Sequence, residues 1–150
     1  MVTRIPHDAT IIDASNLIMG RLASVVAKRL LNGEKIAIIN AENAVLSGRK
    51  ASRLEEFKEF FEVKSRTHPK YTPQHPRRPD TILRRVVRGM LPMDKAKGRK
   101  AFKHLKVYVG TPPEAKERKI QTIPEASALK LKCGYVYLGK IAEELGWKRV

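Results

Sequence analysis

With 150 residues, 42% of them hydrophobic, and a formal charge of +16 at pH 7, the chain is long enough to bury one proper core but far too basic for an ordinary soluble enzyme. That balance points to a polyanionic partner, nucleic acid ahead of an anionic membrane surface. No apolar run approaches the roughly 18 residues of a spanning helix, the start MVTRIPHDAT lacks a secretory h-region so that the chain reads as intracellular, and a lone Cys133 excludes an intrachain disulfide or a cysteine-rich zinc site.

The first predicted element is a brief buried strand at Ala9–Ala14, followed by a turn at Ser15–Asn16. Gly20 to Leu31 winds into a helix with Leu22, Val25, Val26 and Leu30 inward and Arg21, Ser24, Lys28 and Asn32 outward, and Gly33 suits the position just past its end. Lys35–Asn40 (KIAIIN) is a continuous apolar run, the pattern of a central strand covered on both faces. Strand, helix and strand within about thirty residues form a right-handed βαβ unit, so the expected architecture is a single α/β domain spanning 1–150. A small parallel or mixed sheet is flanked by helices in three layers.

Ala44–Ser47 reads as a further short extended piece. Ser52 to Glu55 has capping-box spacing ahead of an apolar stripe of Leu54, Phe57, Phe60 and Phe61, with Glu55, Glu56, Glu59 and Glu62 as a solvated surface. The segment Lys64–Pro79 then changes character: four prolines argue against a helix, and Lys64, Arg66, Lys70, Arg77 and Arg78 meet no acid. A structureless loop of that length is either functional or disordered, and a basic, proline-stiffened one suits an RNA groove. Asp80 is the expected N-cap of the next helix, which puts Ile82, Leu83, Val86, Val87 and Met90 on one arc and Arg84, Arg85 and Arg88 opposite, and ends at Gly89 and Pro92. A second basic helix from Lys95 to Leu105 carries Lys95, Lys97, Arg99, Lys100 and Lys103, with Ala101, Phe102 and Leu105 as apolar contacts. Leu105–Val109 is another strand, Glu114–Lys132 an extended tail over the surface, and Gly134–Trp147 ends in a helix with Leu138, Ile141, Ala142 and Leu145 inward.

The location of the charge says more than its total. Residues 64–110 hold fourteen Lys/Arg against two Asp/Glu, whereas residues 1–63 hold nine against eight. Three quarters of the excess therefore lies in under a third of the chain, as a built face does. The arginines can fork onto phosphate oxygens and the lysines add point charges, while Tyr71 and His68 could stack on unpaired bases.

Catalytic and metal signatures are missing. The turn at Ser15–Gly20 has one glycine where a dinucleotide fingerprint needs three, and no phosphate-loop lysine spacing occurs. The four histidines are scattered, without metal-ligand spacing. Cys133 reads as a small buried or half-buried side chain with no histidine directed at it. The expectation is no catalytic residue, no metal and no cofactor.

Arg88-Gly89-Met90-Leu91-Pro92, then Gly98, then Leu105-Lys106-Val107-Tyr108-Val109-Gly110 resembles the signature of the universal large-subunit ribosomal protein L-thirteen family, and the segments IIDASNLIMGRLAS and KIAIINAENAVLSG look like its opening βαβ region. The end YLGKIAEELGW is similar to the archaeal branch. Two departures from the bacterial pattern, the loop Lys64–Pro79 and the turn Thr111-Pro112-Pro113-Glu114, also point to the archaeal/eukaryotic type. The resemblance implies a small α/β domain without enzymatic activity, in the cytoplasmic ribosome, that binds large-subunit rRNA during subunit assembly beside neighbouring large-subunit proteins. It implies no membrane contact and no stable homo-oligomer. The alternative reading is an RNA-associated regulator or enzyme outside the ribosome, with a nucleotide at the Ser15–Gly20 turn.

Overall fold

The computed structural model describes residues 4–148. In chain order the elements are β1 (Thr10–Asp13), α1 (Met19–Leu31), β2 (Ile36–Ile39), β3 (Val45–Ser47), α2 (Lys50–Glu62) and α3 (Pro79–Gly89). There follow α4 (Ala96–Lys103), β4 (Leu105–Val107), α5 (Pro113–Lys116), β5 (Ile120–Gln121), β6 (Tyr135–Tyr137) and α6 (Leu138–Glu144). The main sheet has the order β4-β2-β1-β5 with every pairing parallel; Thr10 lies opposite Ile36, Ile36 opposite Leu105, and Ile11 opposite Ile120.

Alternation along the two central strands explains the three layers. Ile12, Ile36 and Ile38 point to one face, where they meet Leu22, Val26 and Leu30 of α1, Leu83 and Val87 of α3, and Leu138 and Ile141 of α6. Ile11, Ala37 and Ile39 point to the other face, covered by the single turn α5 through Ala115 and by the N-terminal lead through Ile5. All four residues of β2 are buried, as a strand covered on both sides requires. The run KIAIIN is apolar throughout for that reason. Helix α1 ends where the sequence places it: Gly33 takes φ +95°, a conformation that costs a side-chain-bearing residue about 1 kcal/mol or more.

Glu42 is the charged side chain that the described residues bury, and both its carboxylate oxygens accept the Gly110 backbone N–H, at 3.0 and 3.1 Å. A charge-assisted bond offsets part of the burial penalty and ties the turn after β2 to the turn after β4.

The short extended piece expected at Ala44–Ser47 is β3, which pairs antiparallel with β6, Val45 opposite Tyr137, as a two-stranded ribbon apart from the main sheet. Five expectations need correction. The capping box at Ser52 is not formed, because α2 starts at Lys50 and places Ser52 inside its first turn. Asp80 is not the N-cap either: Arg78 holds that position and Pro79 opens α3, its fixed φ and missing N–H suiting a first helical residue. Met90 lies past the end of α3 and is exposed, while Leu91 turns inward in its place. Glu114–Lys132 is more than a surface tail, since α5 covers the sheet, β5 extends it, and Ile123, Ala126 and Ala128 are buried. Two-residue strands and single helical turns carry no readable period. Cys133 is exposed, in a bend between Lys132 and Gly134, and not tucked into the core.

Candidate nucleic-acid interface

The basic face is organised by α3. Pro79, Ile82, Leu83 and Val87 are buried, and each fully buried aliphatic side chain contributes about 1.5–3 kcal/mol of transfer free energy. That anchor leaves Arg84 and Arg88 exposed and Arg85 half-buried. Helix α4 packs against α1 next to it. Gly98 makes this possible: a Cβ there would lie 2.0 Å from the Pro92 carbonyl oxygen, so only glycine lets α4 close onto the turn that leaves α3. Lys95, Lys97, Arg99, Lys100 and Lys103 stay on the solvent side of that helix.

The proline-rich segment is not loose. Apart from one 3-10 turn at Pro69–Tyr71 it is irregular, yet it folds back onto α2 and α3. His75 sits 4.8 Å from the Phe60 ring, edge to face, and 5.5 Å from Phe61, while its Nε2–H donates to the Val63 carbonyl at 3.1 Å. Because a carbonyl only accepts, that bond assigns the imidazole proton to Nε2. Arg77 lies 5.4 Å from the Phe61 ring. Arg85 stacks 4.7 Å from the Phe60 ring and donates to the Gln74 carbonyl, so one arginine pins the loop to the helix pair.

Between loop and helices runs a groove of about 740 Å³, lined by Pro73, His75, Pro76, the three arginines of α3 and Phe102, among others. Arg84 lies over the Phe102 ring at 4.7 Å. An aromatic face under a guanidinium holds it in place and leaves its edge donors free. Of the fourteen Lys/Arg in 64–110, Arg78 alone has an ion pair with an acid among the described residues, a 3.1 Å contact with Asp80. Exposed pairs of that kind are worth about 1 kcal/mol or less, so even this charge is readily redirected.

The structure thus brings Arg84, Arg85 and Arg88 into one groove. It leaves Lys64, Arg66, Lys70 and Tyr71 on the outer part of the loop, Tyr71 75% exposed with the His68 ring 6.0 Å away. Lys95, Lys97, Arg99, Lys100 and Lys103 form a neighbouring surface and do not line the groove. Sequence reasoning took all three arginines of α3 as equal and free. Arg85 instead acts partly as a positioning residue, through Phe60 and Gln74. It also read Phe60, Phe61 and Phe102 as core alone and missed that they are platforms for Arg85, Arg77 and Arg84. The placement of all four phenylalanines, Phe57, Phe60, Phe61 and Phe102, in the segments that flank the arginine-rich helix was the available signal.

The Ser15–Gly20 turn is filled by the chain's own contacts. Asp13 Oδ1 accepts from the Ser15 backbone N–H at 3.0 Å, the Ser15 hydroxyl at 2.8 Å and the Asn40 amide at 3.0 Å. The Asn16 amide oxygen accepts from the Tyr137 hydroxyl at 3.0 Å, and the Ile18 N–H donates to Ala126. A carboxylate at the strand end, where a phosphate would sit, is electrostatically wrong for that ligand. Among the described residues no group of three or more His, Cys, Asp or Glu could hold a metal ion, and no helix is long and apolar enough to cross a membrane.

Comparison with known proteins matches the architecture. The family model described as "Ribosomal protein L13" covers residues 7–114. The large ribosomal subunit protein uL13 of Methanopyrus kandleri is 49% identical over 146 residues, 95% of this chain and 90% of its own length. The uL13 protein of Aeropyrum pernix is 47% identical, over 92% of this chain and 90% of its own length, and that of Archaeoglobus fulgidus is 41% identical, over 100% and 96%. From its β1-α1-β2 opening to the turn after β4, the chain belongs to the ribosomal protein L13 family, a non-enzymatic structural constituent of the large ribosomal subunit in the cytoplasm.

Proposed function

We propose that this chain binds large-subunit rRNA through the face built by residues 64–106, chiefly by phosphate contacts, and supports early assembly of the subunit. The observation that carries the reading is one concentration of cations without acidic partners: thirteen of the fourteen Lys/Arg in 64–110 lack one among the described residues. Such a face is unfavourable to itself and is relieved by a polyanion. Arg84 and Arg88 present guanidinium forks at the groove, the lysines of α4 extend the charge beside it, and Lys64, Arg66 and Lys70 carry it along the loop. Tyr71 and His68 supply rings for unpaired bases.

A filter-binding titration against fragments of large-subunit rRNA tests this, with a nucleotide-binding assay beside it. With about 6–10 phosphates neutralised, affinity falls by roughly 10³–10⁵ between 50 and 200 mM salt. A flat salt response together with tight binding of a free nucleotide would overturn the reading.

A further inference from the structure

Phosphates need donors and nothing else, and the solvent side of α4 with its five cations supplies just that. The groove beside it, of about 740 Å³, is built differently. Phe102 and two prolines put apolar surface into the middle of the most basic part of the chain, where a phosphate gains nothing from it. Arg84 lies over the Phe102 ring at 4.7 Å and is nevertheless exposed, so the ring backs one side of the guanidinium and the other side is open to a ligand. A guanidinium plane held in this way is a surface on which a nucleobase stacks. Arg88, also exposed, lines the groove one turn further along α3. Gln74 and Thr81 bring neutral polar groups to the same groove. Arginines only donate, whereas the Gln74 amide donates and accepts, and the Thr81 hydroxyl, which donates to the Arg78 carbonyl at 2.9 Å, keeps its lone pairs as acceptors. The edge of an unpaired base presents both kinds of group.

We propose that this groove holds one unpaired nucleotide of large-subunit rRNA, its base stacked on the open side of the Arg84 guanidinium and its phosphate bound by Arg88. The volume agrees, since sites for small molecules span about 300–1,000 Å³, room for a nucleotide but not for a paired helix. A duplex meets Arg84 and Arg88 only through its phosphates, because its bases are already stacked on one another. The inference rests on the rRNA reading and names the form of RNA that this part of the face selects.

Arg84→Lys tests it, because the substitution keeps the charge and removes the plane. Wild-type and variant chains, both full length, are titrated with single-stranded oligoadenylate and with a fully paired RNA duplex of equal length, each over a range of salt. We expect the variant to bind oligoadenylate about tenfold more weakly and the duplex as tightly as wild type does, with the salt slope unchanged for both. In assembled subunits, p-benzoylphenylalanine at Gln74, an exposed position whose backbone bond to Arg85 the replacement keeps, should form an adduct with an rRNA nucleotide that has no Watson–Crick partner. A loss on the duplex as large as that on oligoadenylate, or no loss on either, overturns the proposal. So does an adduct confined to paired rRNA or to protein, or no adduct at all. In each of those cases a steep salt dependence of wild-type binding leaves the rRNA reading standing. A flat salt response of the wild type overturns the rRNA reading itself, and this inference with it.

Discussion

Helices α2 and α3 are both amphipathic, are thirteen and eleven residues long, and wall the same apolar groove. They differ in two respects. Helix α3 buries Pro79, Ile82, Leu83 and Val87 and shows arginines outward, whereas α2 buries nothing fully and shows glutamates. The difference teaches that anchorage and charge are separable instructions. A helix whose apolar arc reaches the sheet, as α3 does beside β4, is fixed by its own core and can present a self-repelling surface, because burial outweighs the repulsion. A helix whose aromatic residues stay half-covered has its apolar surface left over for other contacts, including the Arg85 and His75 side chains that lie on Phe60.

The hardest test of that contrast is charge reversal on the anchored helix. Arg84→Glu, Arg85→Glu and Arg88→Glu together should lower rRNA affinity by roughly 10²–10³-fold and flatten the salt dependence by about three contacts, leave far-ultraviolet dichroism unchanged, and abolish entry into subunits. If the variant assembles normally, the positive face has been placed on the wrong element. Next in size is Gly98→Ala. Its Cβ would strike the Pro92 carbonyl at 2.0 Å, so overpacking should cost about 3 kcal/mol, read as a lower urea midpoint at unchanged slope. Wild-type stability here would show that α4 need not approach that turn closely.

Phe60→Leu keeps most of the apolar volume but removes the ring under Arg85 and beside His75. It should cost about 1 kcal/mol and raise amide exchange selectively in 64–78, with α1 and α3 still protected. Uniform loss of protection would mean that Phe60 is ordinary core. The smallest effect concerns the tether of α2. Lys50 Nζ lies 2.6 Å from Glu144 of α6, and this hydrogen bond holds the Glu144 carboxyl below its usual range. A depressed carboxylate stabilises the fold above its unfolded pKa and loses that contribution as pH falls through the folded one. Glu144→Gln should therefore lower thermal stability slightly at neutral pH and not at all in strong acid. An equal effect at both pH values would exclude the ion pair as its cause.

How much of this was legible in the chain depends on the length of the signal. The strand KIAIIN, helix α1 and the arc of α3 have a long enough period for side-chain spacing to fix their faces, and the structure buries Leu22, Val26, Leu30, Ile82, Leu83 and Val87 accordingly. The basic face could be read from charge density alone. Hidden were β5 and α5, two and four residues long, and the ribbon partner of β3, which arrives from about ninety residues further on. The roles of Arg84 and Arg85 were hidden for a related reason, since their aromatic platforms lie on different helices.

By itself the sequence determined the βαβ opening, the apolar back of α3 and the sign and place of the charge, because periodicity and composition are local properties that no distant residue alters. Only the tertiary structure decided that the proline-rich segment folds back through His75 and Arg85, that Gly98 lets α4 close onto Pro92, and that an open apolar groove is left between α2 and α3. Those outcomes depend on which side chains meet across long separations, a matter settled by packing and not by any window of the chain.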